Sequence, residues 1–401
     1  CIRKPIGMKK IFEKIIEGVL ACSGFVTSIT IVLIILFLFS EALGLFNSRV
    51  IEEGYVLALN KDNKVSELTP AQIKNVFDEE ITNWNEVGGQ DMPIRLFRLE
   101  DITQYYTEEE LGAAYEHAGV KITELVERTP GIIAFVPQQF IVRPDSVHLL
   151  QDNTISVKDV FAGAEWFPTA TSAAQFGFLP LITGTLWVSL FAILIALPFG
   201  LSVAIYMSEV ANSRIRNLLK PIIELLSGIP SVVYGFFGLI VIVPFIQKVF
   251  NLPVGESGLA GSIVLAIMAL PTIITVTEDA MRNCPRAMRE ASLALGASQW
   301  QTIYKVVIPY SVSGITSGVV LGIGRAIGET MAVLMVTGNA AVIPHTILEP
   351  LRTIPATIAA ELGEAPAGGA HYEALFLLGV VLFFISLLIN FTVEAVSARK
   401  R

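Results

Sequence analysis

Arg325 and Glu329 stand in a stretch, 310–336, that is otherwise apolar and long enough to cross a bilayer. An ionised side chain at that depth costs about 2.5–3.5 kcal/mol or more, so such residues pair, face a cavity or act on a substrate. Four residues apart, the two are expected on one helix face, with Glu329 as the resting partner of Arg325 and Thr330 beside them. The guanidinium presents a planar donor fork to an oxyanion, and a competing carboxylate prevents permanent capture. The expected chemistry is transient pairing with an anion on a path through the membrane; a structural ion pair is the alternative. Gly314, Gly318 and Gly322 repeat every four residues, and Gly324 and Gly328 continue on a neighbouring face. That spacing lets helix backbones approach closely. Gly322-x-Gly324 follows no strand, so it is not a dinucleotide fingerprint.

A second candidate is the polar segment 278–309, held between two apolar ones. After Arg286 it is rich in Ala, Met, Leu and Glu, has no β-branched residue and reaches Gly296, the composition of a short helix with a glycine stop. A second helical piece is expected near Ser298, and Pro309 is expected to open the next membrane segment. Within it stands Glu290-Ala291-Ser292, four residues before Gly296.

The elements that position these residues follow from composition. The 401-residue chain is 53% hydrophobic and 16% charged, with a mean hydropathy of +0.63. A soluble domain carries about 25% charged residues, so this chain is embedded in a membrane. Apolar segments over 19–40, 179–207, 221–250, 258–277, 310–336 and 374–396 give six spans. Lys9, Lys10 and Lys14, then Arg214, Arg216 and Lys220, then Arg282, Arg286, Arg289 and Lys305, and finally Arg399-Lys400-Arg401 fall on one side. By the positive-inside rule that side, with both termini, is cytoplasmic. Met8 resembles a natural start, with residues 1–7 an upstream extension. Ser227-Gly228-Ile229-Pro230-Ser231 breaks one span, which requires protein neighbours or a water-filled path to satisfy the freed backbone groups.

Residues 47–175 read as a water-soluble insert. Residues 47–178 hold 21 Asp and Glu against 10 Lys and Arg, a net of −11 in a chain of net −8. Thr69 at the N-cap and Pro70 behind it open a helix with Ile73, Val76 and Phe77 on one face. Short strands are expected at 93–97 and 131–136, and an acidic helix over 107–118. An aromatic cluster, Trp166 to Phe178, suits a membrane interface, with a packed surface corner as the alternative. The fold class is a mostly α membrane protein of six transmembrane helices with an α/β domain inserted after the first. Cys1, Cys22, Cys284 and the four His have no metal or disulfide spacing, and no cofactor or nucleic acid is called for. No Gly-x-x-x-x-Gly-Lys-Ser/Thr loop is present, so the chain is not itself an ATPase.

Glu290-Ala291-Ser292…Gly296, followed by Ile308-Pro309, resembles the "EAA" loop of ABC-importer permeases, with Ser at the third position. Gly322-x-Gly-Arg-Ala-x-Gly-Glu-Thr-Met-Ala-Val333, Ser227-Gly-Ile-Pro-Ser231 and Leu270-Pro-Thr272 are similar to the PstC-type permease family of phosphate-specific importers, over residues 176–401. The resemblance implies a type I importer permease: a heterodimer with a sister permease, an ATPase dimer docked on the 278–309 loop, a periplasmic phosphate-binding protein, and lipid around the spans. It also implies a helix–turn–helix in the loop, with Gly296 at a bend that a Cβ would obstruct. The insert resembles part of phosphate-binding proteins in Ile81-Thr-Asn-Trp84 and Thr129-Pro-Gly131-Ile-Ile-Ala-Phe-Val136. It departs at Arg98-Leu-Glu100-Asp101, where that class has Ser-Gly-Thr around the anion. The implied function is a phosphate permease subunit. A permease for molybdate or sulfate, or a membrane sensor, are the alternatives.

Overall fold

The computed structural model describes residues 6–51, 54–112, 115–150, 154–170 and 172–398. The expected extension before Met8 lies largely, and Arg399-Lys400-Arg401 wholly, outside them. Among the described residues six helices are long and apolar enough to cross a bilayer: Ile16–Asn47, Leu179–Val210, Ser231–Phe250, Gly258–Arg282, Gln299–Gly328 and Ala370–Val393, here spans 1 to 6. Helices satisfy their own backbone groups, which hydrocarbon cannot do for them. Span 4 is the central element, packed between spans 2 and 5, while span 6 packs on spans 1 and 5.

Two expected spans are broken. The segment over 221–250 is an amphipathic helix, Ser213–Gly228, followed by the start of span 3 at Ser231. Ile229 between them is extended, at φ −70° and ψ 128°, because the ring of Pro230 disfavours the helical region for the residue before it. The segment over 310–336 stops at Gly328; Glu329 is extended at ψ 132°, and a short helix resumes over Met331–Val336. Nor does Pro309 open span 5, which already runs from Gln299. Pro309 and Pro244 each sit just after a π-turn, Ile303–Val307 and Gly238–Ile242. Proline offers no N–H to the carbonyl four residues back, and the wider turn absorbs that misfit.

The insert is built on a four-stranded sheet: β1 Tyr55–Leu59, β2 Arg95–Arg98, β3 Ile132–Pro137 and β4 His148–Leu149, in the order β2-β3-β1-β4. β1 pairs antiparallel with β3 and β4, and β2 runs parallel to β3. Side chains alternate across the sheet. Ala58, Ala134 and Val136 face a helix at Ala118–Arg128. Leu57, Leu59, Ile133 and Phe135 face the capped helix Pro70–Phe77 and Trp84. Thr69 and Gln72 form the capping box that starts that helix. The acidic helix expected over 107–118 is one turn, Glu108–Leu111, ended by Gly112 at φ +84°. The longer helix begins at Ala118 and buries Ile122 and Val126.

The insert and the membrane part share one core. The cluster holding Leu57, Leu59 and Phe135 continues into Leu45 at the end of span 1, Leu181 of span 2, and Leu375 and Leu378 of span 6. Trp166 and Phe178, expected at a membrane interface, are 2% and 0% exposed within this junction. The connection over 337–374 folds as well, into the helix Ile354–Glu361. Glu361 ties the parts together. Its carboxylate accepts Trp166 Nε1 at 3.0 Å, pairs with His371 Nε2 at 2.9 Å and with Arg352 Nη1 at 2.6 Å. Burial pushes the carboxyl up, but the His371 hydrogen bond, the Arg352 charge and the indole outweigh it and hold the group below its ordinary 4.5. A carboxyl lowered in the folded state contributes stability above its unfolded value and loses it as pH falls through the folded one. The melting temperature of the full chain should therefore fall as pH drops below 4.5. That component should be missing in Glu361→Gln; identical pH profiles for the two proteins would remove this clamp.

Candidate functional site

The polar segment 278–309 folds as a helix, a bend and a second helix. Arg286–Ala294 is helical, and Gly296 at φ +84° closes it with its N–H on the Leu293 carbonyl at 2.9 Å. The next helix starts at Gln299 behind a capping box of Ser298 and Gln301. The two arms are pinned by the Ser292 and Thr302 hydroxyls, 2.9 Å apart. A Cβ on Gly296 would meet nothing within 4 Å. The bend thus excludes side chains by its left-handed backbone, not by the expected obstruction. Glu290 and Ala291 are exposed. Around them stand Leu295, Trp300 and Tyr304 at 90%, 67% and 72% exposure. Apolar side chains this bare on a polar loop are a candidate contact surface. Sequence reading named the Glu-Ala-Ser core but not these three, although each is a large apolar residue in a polar segment.

In the membrane, Arg325 and Glu329 are both half-buried but do not pair. The helix ends at Gly328 with Glu329 as its C-cap, at φ −74° and ψ 132°, so the spacing brings the two near each other without an ion pair. Glu329 instead turns to the next helix, its Oε1 3.5 Å from the Ala332 N–H, and Thr330 Oγ1 leans on the Gly328 carbonyl at 3.4 Å. Arg325 has no carboxylate in ion-pair reach among the described residues. The two helix breaks are neighbours. Span 3 begins at Ser231 and packs on Met331–Val336, and a Cβ on Gly235 would come within 2.9 Å of the Ala332 Cα. Tyr234 Oη donates to the Leu226 carbonyl at 2.7 Å, one of the groups freed by the break before Pro230.

The glycines divide into two sets. A Cβ on Gly314 would strike Ala280, one on Gly318 would lie 3.1–3.4 Å from Thr277, Val276 and the Ile273 carbonyl, and one on Gly322 would meet Ile273 at 2.7 Å. These three let span 5 press on span 4. Gly324 and Gly328 have nothing within 4 Å, which corrects their expected role in packing within this chain. In the insert, the segment after β2 is closed by its own carboxylate: Asp101 Oδ2 accepts the Arg98 N–H at 3.0 Å, and Arg98 Nη2 donates to the Phe77 carbonyl at 2.9 Å.

Residues 196–401 match the family described as "Binding-protein-dependent transport system inner membrane component", and residues 39–159 match a PBP superfamily domain. The chain belongs to the binding-protein-dependent inner membrane transport components. Among its relatives, "Probable ABC transporter permease protein YqgH" of Bacillus subtilis is 41% identical over 249 residues, covering 62% of this chain and 80% of the relative. "Phosphate transport system permease protein PstC" of Mesorhizobium japonicum is 39% identical over 234 residues, 54% of this chain and 71% of the relative. "Phosphate transport system permease protein PstC 1" of Mycobacterium tuberculosis is 37% identical over 265 residues, 57% and 78% respectively. As a transport component of this family, with six apolar helices, the chain is a multi-pass inner membrane protein.

The glycine contrast is testable on the permease alone. Gly314→Val should lower its melting temperature, by the ~1–3 kcal/mol typical of overpacking, while Gly328→Ala should leave it near wild type. Equal shifts would show that span packing does not depend on the first set. Gly296→Asn should be tolerated better than Gly296→Val, since Asn accepts a left-handed backbone far more readily than a β-branched residue.

Proposed function

We propose that this chain is the transmembrane permease subunit of an ATP-driven importer of inorganic phosphate. The observation that carries it is Arg325: a half-buried cation inside a membrane span, without a carboxylate partner among the described residues, in a chain whose relatives include proteins named phosphate transport permeases. A cation on a path for an oxyanion has to be available, and a permanent ion pair would cap it. The two adjoining helix breaks support the same reading, because irregular backbone at membrane depth is tolerated where it is buried in protein or lines a water-filled route. Glu329 and Thr330 then shape the path by holding the break open beside Arg325.

The remaining assignments belong to this proposal. The subunit is non-catalytic; hydrolysis takes place on an ATPase dimer that docks on Glu290, Ala291, Ser292, Gly296 and the exposed Leu295, Trp300 and Tyr304. A sister permease completes the path as a heterodimer, and a phosphate-binding protein delivers the anion from the periplasmic side. Both termini lie in the cytoplasm. Residues 1–46 carry the first span, 47–175 form a periplasmic domain and 176–401 form the transport core. The insert does not bind phosphate: Asp101 occupies the Arg98 N–H, and the net charge of −11 over 47–178 repels anions within a Debye length of about 8–10 Å. Its role is contact with the binding protein or another envelope partner.

Uptake of radiolabelled phosphate by the reconstituted complex, with sulfate and molybdate as competitors, tests the function. Arg325→Gln should cut uptake by about 10–100-fold, the size of a lost charge-assisted hydrogen bond, while the complex still assembles. Arg325→Lys should also be poor, because the fork is lost. Adding Glu329→Gln to Arg325→Gln should not restore uptake; recovery would make the two a structural pair. Preferential competition by molybdate or sulfate would change the anion. Leu295→Asp with Trp300→Asp should release the ATPase from the complex, and its retention would sink the docking assignment.

A further inference from the structure

The inner end of span 2 is not a free helix terminus. It closes as a π-turn, Tyr206–Val210, and this turn presents both the side chain and the carbonyl of Glu209 to the coupling segment. The side chain, 8% exposed, accepts Arg289 Nη2 at 2.8 Å and the Ser208 hydroxyl at 2.6 Å. The carbonyl accepts Gln299 Nε2 at 3.0 Å. Arg289 lies in the first coupling helix, one residue before Glu290, and Gln299 opens the second. A single residue of span 2 therefore grips both arms of the helix–turn–helix. The same Arg289 Nη2 also donates to the Met281 carbonyl at 2.8 Å, near the end of span 4.

We infer that Glu209 is a positioning residue that makes the coupling segment and the inner end of span 2 one rigid unit, so that displacement of the segment by the ATPase is delivered to span 2. Covalent connection alone would deliver it to spans 4 and 5, which flank the segment in sequence. A largely buried carboxylate with a charged donor is suited to the task, because breaking the pair leaves an uncompensated charge. Span 2 in turn packs along span 4 and also contacts span 5, which carries Arg325, so the push reaches the helices that bound the path.

This inference rests on the docking of the loop to an ATPase proposed above. It is tested in the full complex, with binding protein and ATPase, reconstituted in liposomes. Glu209→Ala should keep its ATPase and hydrolyse ATP but move about tenfold less phosphate per ATP. Glu209→Gln, whose amide oxygen still accepts from Arg289, should recover most of that ratio. Spin labels on Val210→Cys and Ala294→Cys, with the native cysteines replaced by alanine, should report one distance through the nucleotide cycle. In Glu209→Ala that distance should vary with nucleotide. A wild-type ratio of phosphate to ATP in Glu209→Ala, or a nucleotide-dependent distance in the otherwise wild-type protein, overturns the inference. Failure of Glu209→Ala to assemble or to hold its ATPase also overturns it, by assigning the residue a purely structural role. The docking proposal fails separately, if Leu295→Asp with Trp300→Asp retains the ATPase.

Discussion

A helix broken inside a bilayer leaves N–H and C=O groups that lipid cannot satisfy, and this constraint orders the membrane half of the molecule. The chain breaks twice, at Ile229-Pro230 and at Glu329-Thr330, and sets the broken pieces against each other. Tyr234 covers one freed carbonyl and Glu329 turns to the Ala332 N–H. Close approach of the two pieces depends on Gly235, and close approach of spans 4 and 5 on Gly314, Gly318 and Gly322. The glycines are thus the packing answer to a backbone problem, and Arg325 is placed by the same arrangement.

The polar half obeys a different economy. On the 278–309 segment three large apolar groups, Leu295, Trp300 and Tyr304, lie outside, while one cation, Arg289, turns inward to meet Glu209. Lys220 adds a further tie, 3.5 Å from Glu278 and 3.4 Å from Asp279. That arrangement is what the proposed docking would use, since a solvated loop gains nothing by exposing a Trp. Gly296 makes the arrangement possible by turning the chain in a left-handed conformation that most side chains resist.

Much of this was legible in the residues. Long apolar runs located six spans, because helices are the self-sufficient solution in lipid. Thr69-Pro70 announced a capped helix and Gly131-Ile-Ile-Ala-Phe-Val136 a buried strand, both local signals. The break at Ile229-Pro230 was legible in Gly228-Ile229-Pro230, but the second was not: hydropathy runs straight through Glu329, so neither that break nor the absence of an Arg325–Glu329 pair shows in a sliding window. Gly112 cut the acidic helix, a stop visible only once its φ is known. The buried position of Trp166 depends on Glu361, 195 residues away, and a contact that distant leaves no local trace.

The shared core between insert and spans has a consequence for the order of synthesis. Phe135 and its neighbours are made early, yet part of their cover, Leu375 to Leu378 of span 6, follows some 240 residues later. At ~5–20 residues per second the gap is roughly 10–50 s. If the insert is periplasmic, as proposed, it spends that interval across the membrane with an apolar underside still waiting for its lid. Biogenesis of this chain therefore includes a dwell in which a nearly folded domain has to be kept from sticking to its surroundings, a demand that a permease without the insert does not face.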